Sequence, residues 1–316
     1  RDDQQMEGMM MKTGLRAVAL FTVYATIGYG GDYAVGLLSA ESSPEAIEVV
    51  QVDVKAVPNV VVDVKPTVVS RVQVRHMGEC SFRDERRLVS SASGVDAVSI
   101  DAGAGELHVE GREGLEELVV VGMLCASHEE YLEALDVSLE RRADGTVHMA
   151  THYPRQRDRH GSNTARVDLT VLVPLGMDVE VDDSSGDITV IGTGDLEIDD
   201  SSGSIRVSSI LGSLDIDDSS GSVSVNDVAG DAVIDDSAGS LDIQGVEGSV
   251  LVSDGAGGID IAGVGRNVVI ESDGAGSIDV RDVAGDFTVE RDGNGSIRHS
   301  GVEGRVDVPV RRRRGG

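Results

Sequence analysis

Seven glycines set the beat of the C-terminal half of this chain. Gly186, Gly203, Gly221, Gly239, Gly257, Gly276 and Gly295 stand 17, 18, 18, 18, 19 and 19 residues apart. Each sits in the same short phrase: SSGDI at 184–188, SSGSI at 201–205, SSGSV at 219–223, SAGSL at 237–241, GAGGI at 255–259, GAGSI at 274–278 and GNGSI at 293–297. A second marker, mostly V-x-G-[DS], falls between them at Gly194, Gly212, Gly230, Gly248, Gly285 and Gly304, with Arg266 replacing the glycine once. The unit is about nine residues, paired into a repeat of about 18. After the markers come aliphatic pairs two residues apart, such as Ile205/Val207, Leu214/Ile216, Leu241/Ile243 and Ile278/Val280. Residues i and i+2 share one face of a strand. A fixed repeat with one inward pair per strand predicts a parallel β-solenoid, whose stacked coils form aliphatic columns. The marker glycines are expected to supply the positive φ that sharp corners need. A hexapeptide-type helix is excluded, because its aliphatic marker would recur every six residues.

Composition supports an all-β chain and removes several functions. Gly makes up 40 of 316 residues, above the usual ~7%, while Pro is only 6, so strands joined by tight turns fit and a Pro-rich linker does not. The formal charge is 27 − 56 = −29, which repels nucleic acid and anionic lipid. Aromatics are 3% and Trp is absent, which argues against a base-stacking platform or an aromatic sugar cleft. Lysine occurs only at Lys12, Lys55 and Lys65, so no Lys base or phosphate-binding Lys is available in the repeats.

The chain divides into six segments. Residues 1–10 are extra N-terminal residues. Residues 11–40 read as a signal peptide: Lys12 and Arg16 form a basic start, followed by the apolar run Ala17–Ile27, too short to span a bilayer comfortably. No membrane span is expected after cleavage. Residues 41–79 are a Val-rich linker or extra strand. Residues 80–174 are the irregular first coils or cap, with strands near Val98–Ile100, Leu107–Val109, Leu118–Val121, Val137–Leu139, Val147–Met149 and Val167–Val173, and a short helix over His128–Leu135. Residues 175–308 are the regular repeats, broken at Ile297/His299, and 309–316 are an Arg-rich tail. Cys80 and Cys125 are the two cysteines. In an exported protein they read as one disulfide, closing a loop worth ~4 kcal/mol in the chain-entropy model.

Three side-chain sets carry candidate chemistry. The acidic pairs Asp182–Asp183, Asp199–Asp200, Asp217–Asp218 and Asp235–Asp236 each precede a marker glycine. Stacked carboxylates suit Ca²⁺, but they stand before the glycine corner, unlike the calcium-binding nonapeptide roll. The competing reading has each Asp accepting hydrogen bonds from its own turn. The serine column Ser184, Ser201, Ser219 and Ser237 has no histidine in the repeats before His299, so a nucleophile-base pair is not expected there. His148, His152 and His160, close in sequence to Arg155, Arg157 and Arg159, read as an exposed polar loop more than a metal site. No catalytic residue is assigned.

The alternation of SSG-[DS]-[IV] with V-x-G-[DS]-x-x-[IV], together with the acidic helix EEYLEALDV before it, resembles a bacterial putative-adhesin family of β-strand-repeat exported proteins over roughly residues 90–308. The resemblance implies a right-handed parallel β-solenoid in the periplasm or at the cell surface. The expected function is a non-enzymatic adhesin-like or structural envelope module, with no cofactor and with envelope proteins, surface proteins or glycans as partners. A Ca²⁺-binding acidic repeat protein and a polysaccharide-active β-helix enzyme are the alternatives.

Overall fold

The computed structural model describes residues 80–153 and 164–309, and the backbone of 20–27 and 31–38. Residues 1–62 form one unit and 63–316 another. In the first, Leu20–Ile27 pairs antiparallel with Gly31–Leu38. The proposed basic start of a signal, the 41–79 segment, most of the basic loop and the Arg311–Arg314 run lie outside the described residues.

The second unit is a two-sheet β-solenoid. One sheet, here the Asp sheet, stacks Asp178–Ser185, Leu196–Asp200, Leu214–Asp218, Ala232–Asp236 and Val250–Asp254 in parallel. It continues through the first half of Val268–Val283 into Phe287–Val289 and Val306–Asp307. The other, the Gly sheet, stacks Ile188–Ile191, Gly203–Ile210, Gly221–Val228, Gly239–Val246 and Gly257–Val264, then the second half of Val268–Val283 and Asp292–Val302. The chain alternates between the sheets, one strand in each per coil. Identical positions lie in register, so Ile198, Ile216, Ile234, Val252, Ile270 and Val289 form one column and Val190, Val207, Val225, Ile243, Ile261 and Val280 another. Each is at most 4% exposed, and both columns belong to a single core cluster. Full burial of such side chains stabilises by roughly 1.5–3 kcal/mol each before entropy is counted.

A third inward column was not among the sequence-predicted pairs. Ile210, Val228, Val246, Val264 and Val283 are buried at 0–2% exposure, although they follow the second residue of each pair by three positions, not two. The parity is restored by a left-handed residue just before each: Ser209 at φ 58°, Asp227 at 60°, Gly245 and Gly263 at 71°, Asp282 at 56°. The expectation of positive φ at the marker glycines holds at Gly186, Gly203 and Gly221, with φ 143°, 148° and 155°, but it does not extend along the whole row, and a second requirement acts there. Gly239, Gly257, Gly276 and Gly295 are not left-handed. A Cβ on Gly221 would lie 1.5 Å from the Gly203 carbonyl oxygen, and one on Gly276 would lie 1.3 Å from that of Gly257. Successive coils touch backbone to backbone at this corner, and no side chain fits between them.

The step from 18 to 19 residues has one local cause. Pairing is Val252↔Ile270 and then Ser253↔Ser272, so Glu271 is the extra residue, accommodated as a bulge.

The cap is woven out of sequence order. Ala97–Ala104 and Leu107–Arg112 already form a coil, stacked directly on Asp178–Ser185 and Ile188–Ile191. The later strands Thr146–His152 and Ala165–Pro174 lie on its far side, also parallel to it. Antiparallel strands then close that end: Asp136–Arg141 on Thr146–His152, and Glu117–Ala126 between Ala165–Pro174 and Phe82–Ser91. The predicted helix is a single turn, Glu129–Leu132, shorter than the expected His128–Leu135. Cys80 and Cys125 are disulfide-bonded at a Cα separation of 5.4 Å. Buried Asp84 is neutralised by Arg86, which also approaches Asp136 at 3.6 Å.

Candidate functional site

The aspartate pairs were expected to act together at the corners; the strand pleat separates them. Asp182, Asp199, Asp217 and Asp235 point outward and are exposed, while Asp183, Asp200, Asp218 and Asp236 point inward and are 0–2% exposed. Register pairing extends the outward column to Asp101 at one end, and the inward column to Asp254 and Asp273 at the other.

The inward carboxylates are turn acceptors. Oδ1 of Asp200, Asp218, Asp236 and Asp254 accepts from the N–H of Ser202, Ser220, Ala238 and Ala256, at 3.0, 2.9, 3.0 and 3.1 Å. Each bond spans two residues, the pattern of an Asx turn. Oδ2 of these four residues, and both oxygens of Asp183, are buried without a hydrogen-bond partner. Burial, reinforced by the charge of Asp200, pushes Asp183 up to about 7. Burial likewise raises Asp200, Asp236 and Asp254 to about 6, against the opposing pull of the turn N–H, and raises Asp218 as well.

The outward column is a row of like charges. Asp101, Asp182, Asp199, Asp217 and Asp235 face solvent about 4.8 Å apart. Partial burial and neighbouring carboxylates raise Asp182 and Asp217. Beside it runs a column that changes character along the stack, from Glu180, Glu197 and Asp215 to Val233, Leu251 and Val269. On the opposite sheet one outward column is mostly serine, Ser204, Ser222, Ser240, Ser277 and Ser296 with Gly258 in the row, and beside it another mixes charges, Arg206, Ser224, Asp242, Asp260, Asp279 and Arg298.

Among the described residues no three His, Cys, Asp or Glu side chains gather to hold a metal ion. Each coil gives the inward seam only one carboxyl, and its neighbour in sequence points away. The corner serines are exposed, and the hydroxyl of Ser220 donates to the Ser201 carbonyl at 3.2 Å. His148 and His152 lie on one strand and bond different serines, Ser99 at 3.4 Å and Ser138 at 2.8 Å, while His160 lies outside the described residues. The inward seam itself was missed by sequence reading. The signal was present: in a β strand, the second residue of each D-D pair continues the parity of the aliphatic pair before it.

Residues 127–313, more than half of the chain, match the family model described as Toastrack DUF4097. The chain belongs to this family. The Toastrack match runs from the helix at the cap through the last coil. No curated protein matches the sequence. Solved structures similar to the Toastrack chain include a putative adhesin from Bacteroides fragilis, 12% identical, covering 71% of this chain and 97% of that one at a TM-score of 0.35. A putative lipid binding protein from Parabacteroides distasonis is 15% identical, with 72% and 97% covered and a TM-score of 0.30. A putative cell adhesion protein from Clostridium sporogenes is 13% identical, with 72% and 100% covered and a TM-score of 0.27. Among the described residues of the Toastrack chain no helix is long and apolar enough to cross a membrane.

Proposed function

We propose that this Toastrack protein is a non-enzymatic, exported β-solenoid that works as an adhesin-like or structural module of the cell envelope or surface. The observation that carries the reading is the repetition of one outward residue per coil along an unbroken sheet, as in Asp101, Asp182, Asp199, Asp217 and Asp235. Such a surface presents many equal weak contacts in a line. It suits an extended, repetitive partner held by multivalency, whereas converting a small substrate calls for convergent groups in a concave site. The Cys80–Cys125 bridge supports an oxidising compartment.

The test uses the purified full chain against immobilised envelope fractions, neutral and acidic glycans, and basic proteins. Retention that is graded with the number of repeating units in the partner supports the reading. Cleavage or other turnover of any of these polymers would overturn it.

A further inference from the structure

Asp183, Asp200, Asp218, Asp236 and Asp254 form a straight seam inside the solenoid, paired rung to rung at about 4.8 Å. All are 0–3% exposed. Four of them use Oδ1 for the turn N–H and leave Oδ2 buried without a donor; Asp183 leaves both oxygens so. Among the described residues, the groups facing the seam supply no compensating cation. Tyr153 packs beside Asp183, its hydroxyl donating to the Ala104 carbonyl at 2.6 Å. The outward neighbours on the same strands are Asp182, Asp199, Asp217 and Asp235, and Asp273 follows Asp254 in the column. No Arg or His among the described residues forms an ion pair with any of the five.

A buried carboxylate oxygen without a donor is costly, and like charges at this spacing add to the cost. One proton per rung removes the charge and supplies the donor that the seam lacks. We propose that the inward aspartate seam is a built-in acid-responsive lock: protonated rungs hold the coils together in a mildly acidic medium, and deprotonation charges the seam and loosens the stack. The raised carboxyls at about 6 to 7 put the change in that range.

The sign follows from linkage. A carboxyl whose folded value is raised above its unfolded value near 3.9 binds more protons when folded. Its stabilising share is fully present below the unfolded value and is lost as pH rises through about 6 to 7.

The experiment is thermal melting of the full chain from pH 4.5 to 8.5, for wild type, for the single variant Asp218→Asn and for the triple variant Asp200→Asn, Asp218→Asn, Asp236→Asn. Asn keeps the Oδ1 acceptor and carries no charge. Wild type should melt at least about 5 °C lower at pH 8 than at pH 5. Each Asn variant should melt above wild type at pH 8, and the triple variant should lose most of the pH dependence. A wild-type melt that is level or rises with pH overturns the lock, as do Asn variants that melt lower than wild type at pH 8. So does a large rise in wild-type melting temperature at pH 8 with millimolar Ca²⁺ that the triple variant lacks, since a metal would then neutralise the seam. An infrared titration of wild type reads the same groups without mutation: protonated carboxyl bands must persist to near neutral pH, and their disappearance by pH 5 overturns the proposal.

Discussion

The backbone N–H of Ser220 donates to Oδ1 of Asp218 at 2.9 Å, and the same carboxyl keeps Oδ2 buried without a partner. The acid is thus half a turn cap and half an unmet acceptor. Removing the cap while the carboxyl is protonated isolates the first half. Asp236 makes the same turn bond, to the N–H of Ala238, and is raised to about 6, so at pH 5 Asp236→Ala should lower stability by about 1 kcal/mol, while Asp236→Asn should leave it nearly unchanged. Urea midpoints of the two variants at that pH read the difference directly.

Gly221 is held against the Gly203 carbonyl so closely that a Cβ would sit 1.5 Å from the oxygen. Gly221→Ala must push adjacent coils apart at the corner or abolish the fold locally. The expected loss exceeds about 3 kcal/mol, with new proteolytic cleavage in the middle of the repeats. An alanine variant as stable as wild type would show that the coils are not in backbone contact there.

Ser209 adopts φ 58° in a column where Gly245 and Gly263 adopt 71°. A left-handed serine costs roughly 1–2 kcal/mol, and glycine gives back part of that in unfolded-state entropy. Ser209→Gly should therefore raise stability by about 0.5 kcal/mol, read as a higher urea midpoint at unchanged slope.

In the outward column partial burial comes first, as it does in the inward seam, but several like charges follow it and no turn N–H opposes them. Partial burial and the charges of Asp199 and Asp235 raise Asp217. Asp217→Lys should raise the melting temperature at low salt, and the gain should shrink as NaCl rises toward 0.5 M. A gain that is independent of salt would point to packing instead.

Ile243 is fully buried in the second inward column of the Gly sheet. Ile243→Ala should cost about 2–5 kcal/mol, the range for deleting a large aliphatic core side chain. Coils in such a stack contact only their neighbours. Hydrogen exchange should therefore quicken most in the strands on either side, Gly221–Val228 and Gly257–Val264.

The aliphatic pairs were legible because a period of two inside a fixed 18-residue repeat leaves one choice of inward face. The column of Ile210, Val228 and Val246 was not, because a left-handed residue shifts the parity and only backbone geometry reveals it. The same parity rule, applied to Asp217 and Asp218, would have separated the exposed acid from the buried one. The cap resisted reading for another reason. Its order depends on Ala97–Ala104 lying between Thr146–His152 and Asp178–Ser185, a choice made by long-range pairing that no local pattern encodes.

Export is the point on which the functional reading stands or falls: an adhesin-like or envelope module must act outside the cytoplasm. Intact cells producing the full chain should be treated with protease and then fractionated, with the protein followed by immunoblot. The protein should be digested on intact cells, or be protected until the outer membrane is disrupted. Recovery of intact protein in the cytoplasmic fraction would contradict the reading.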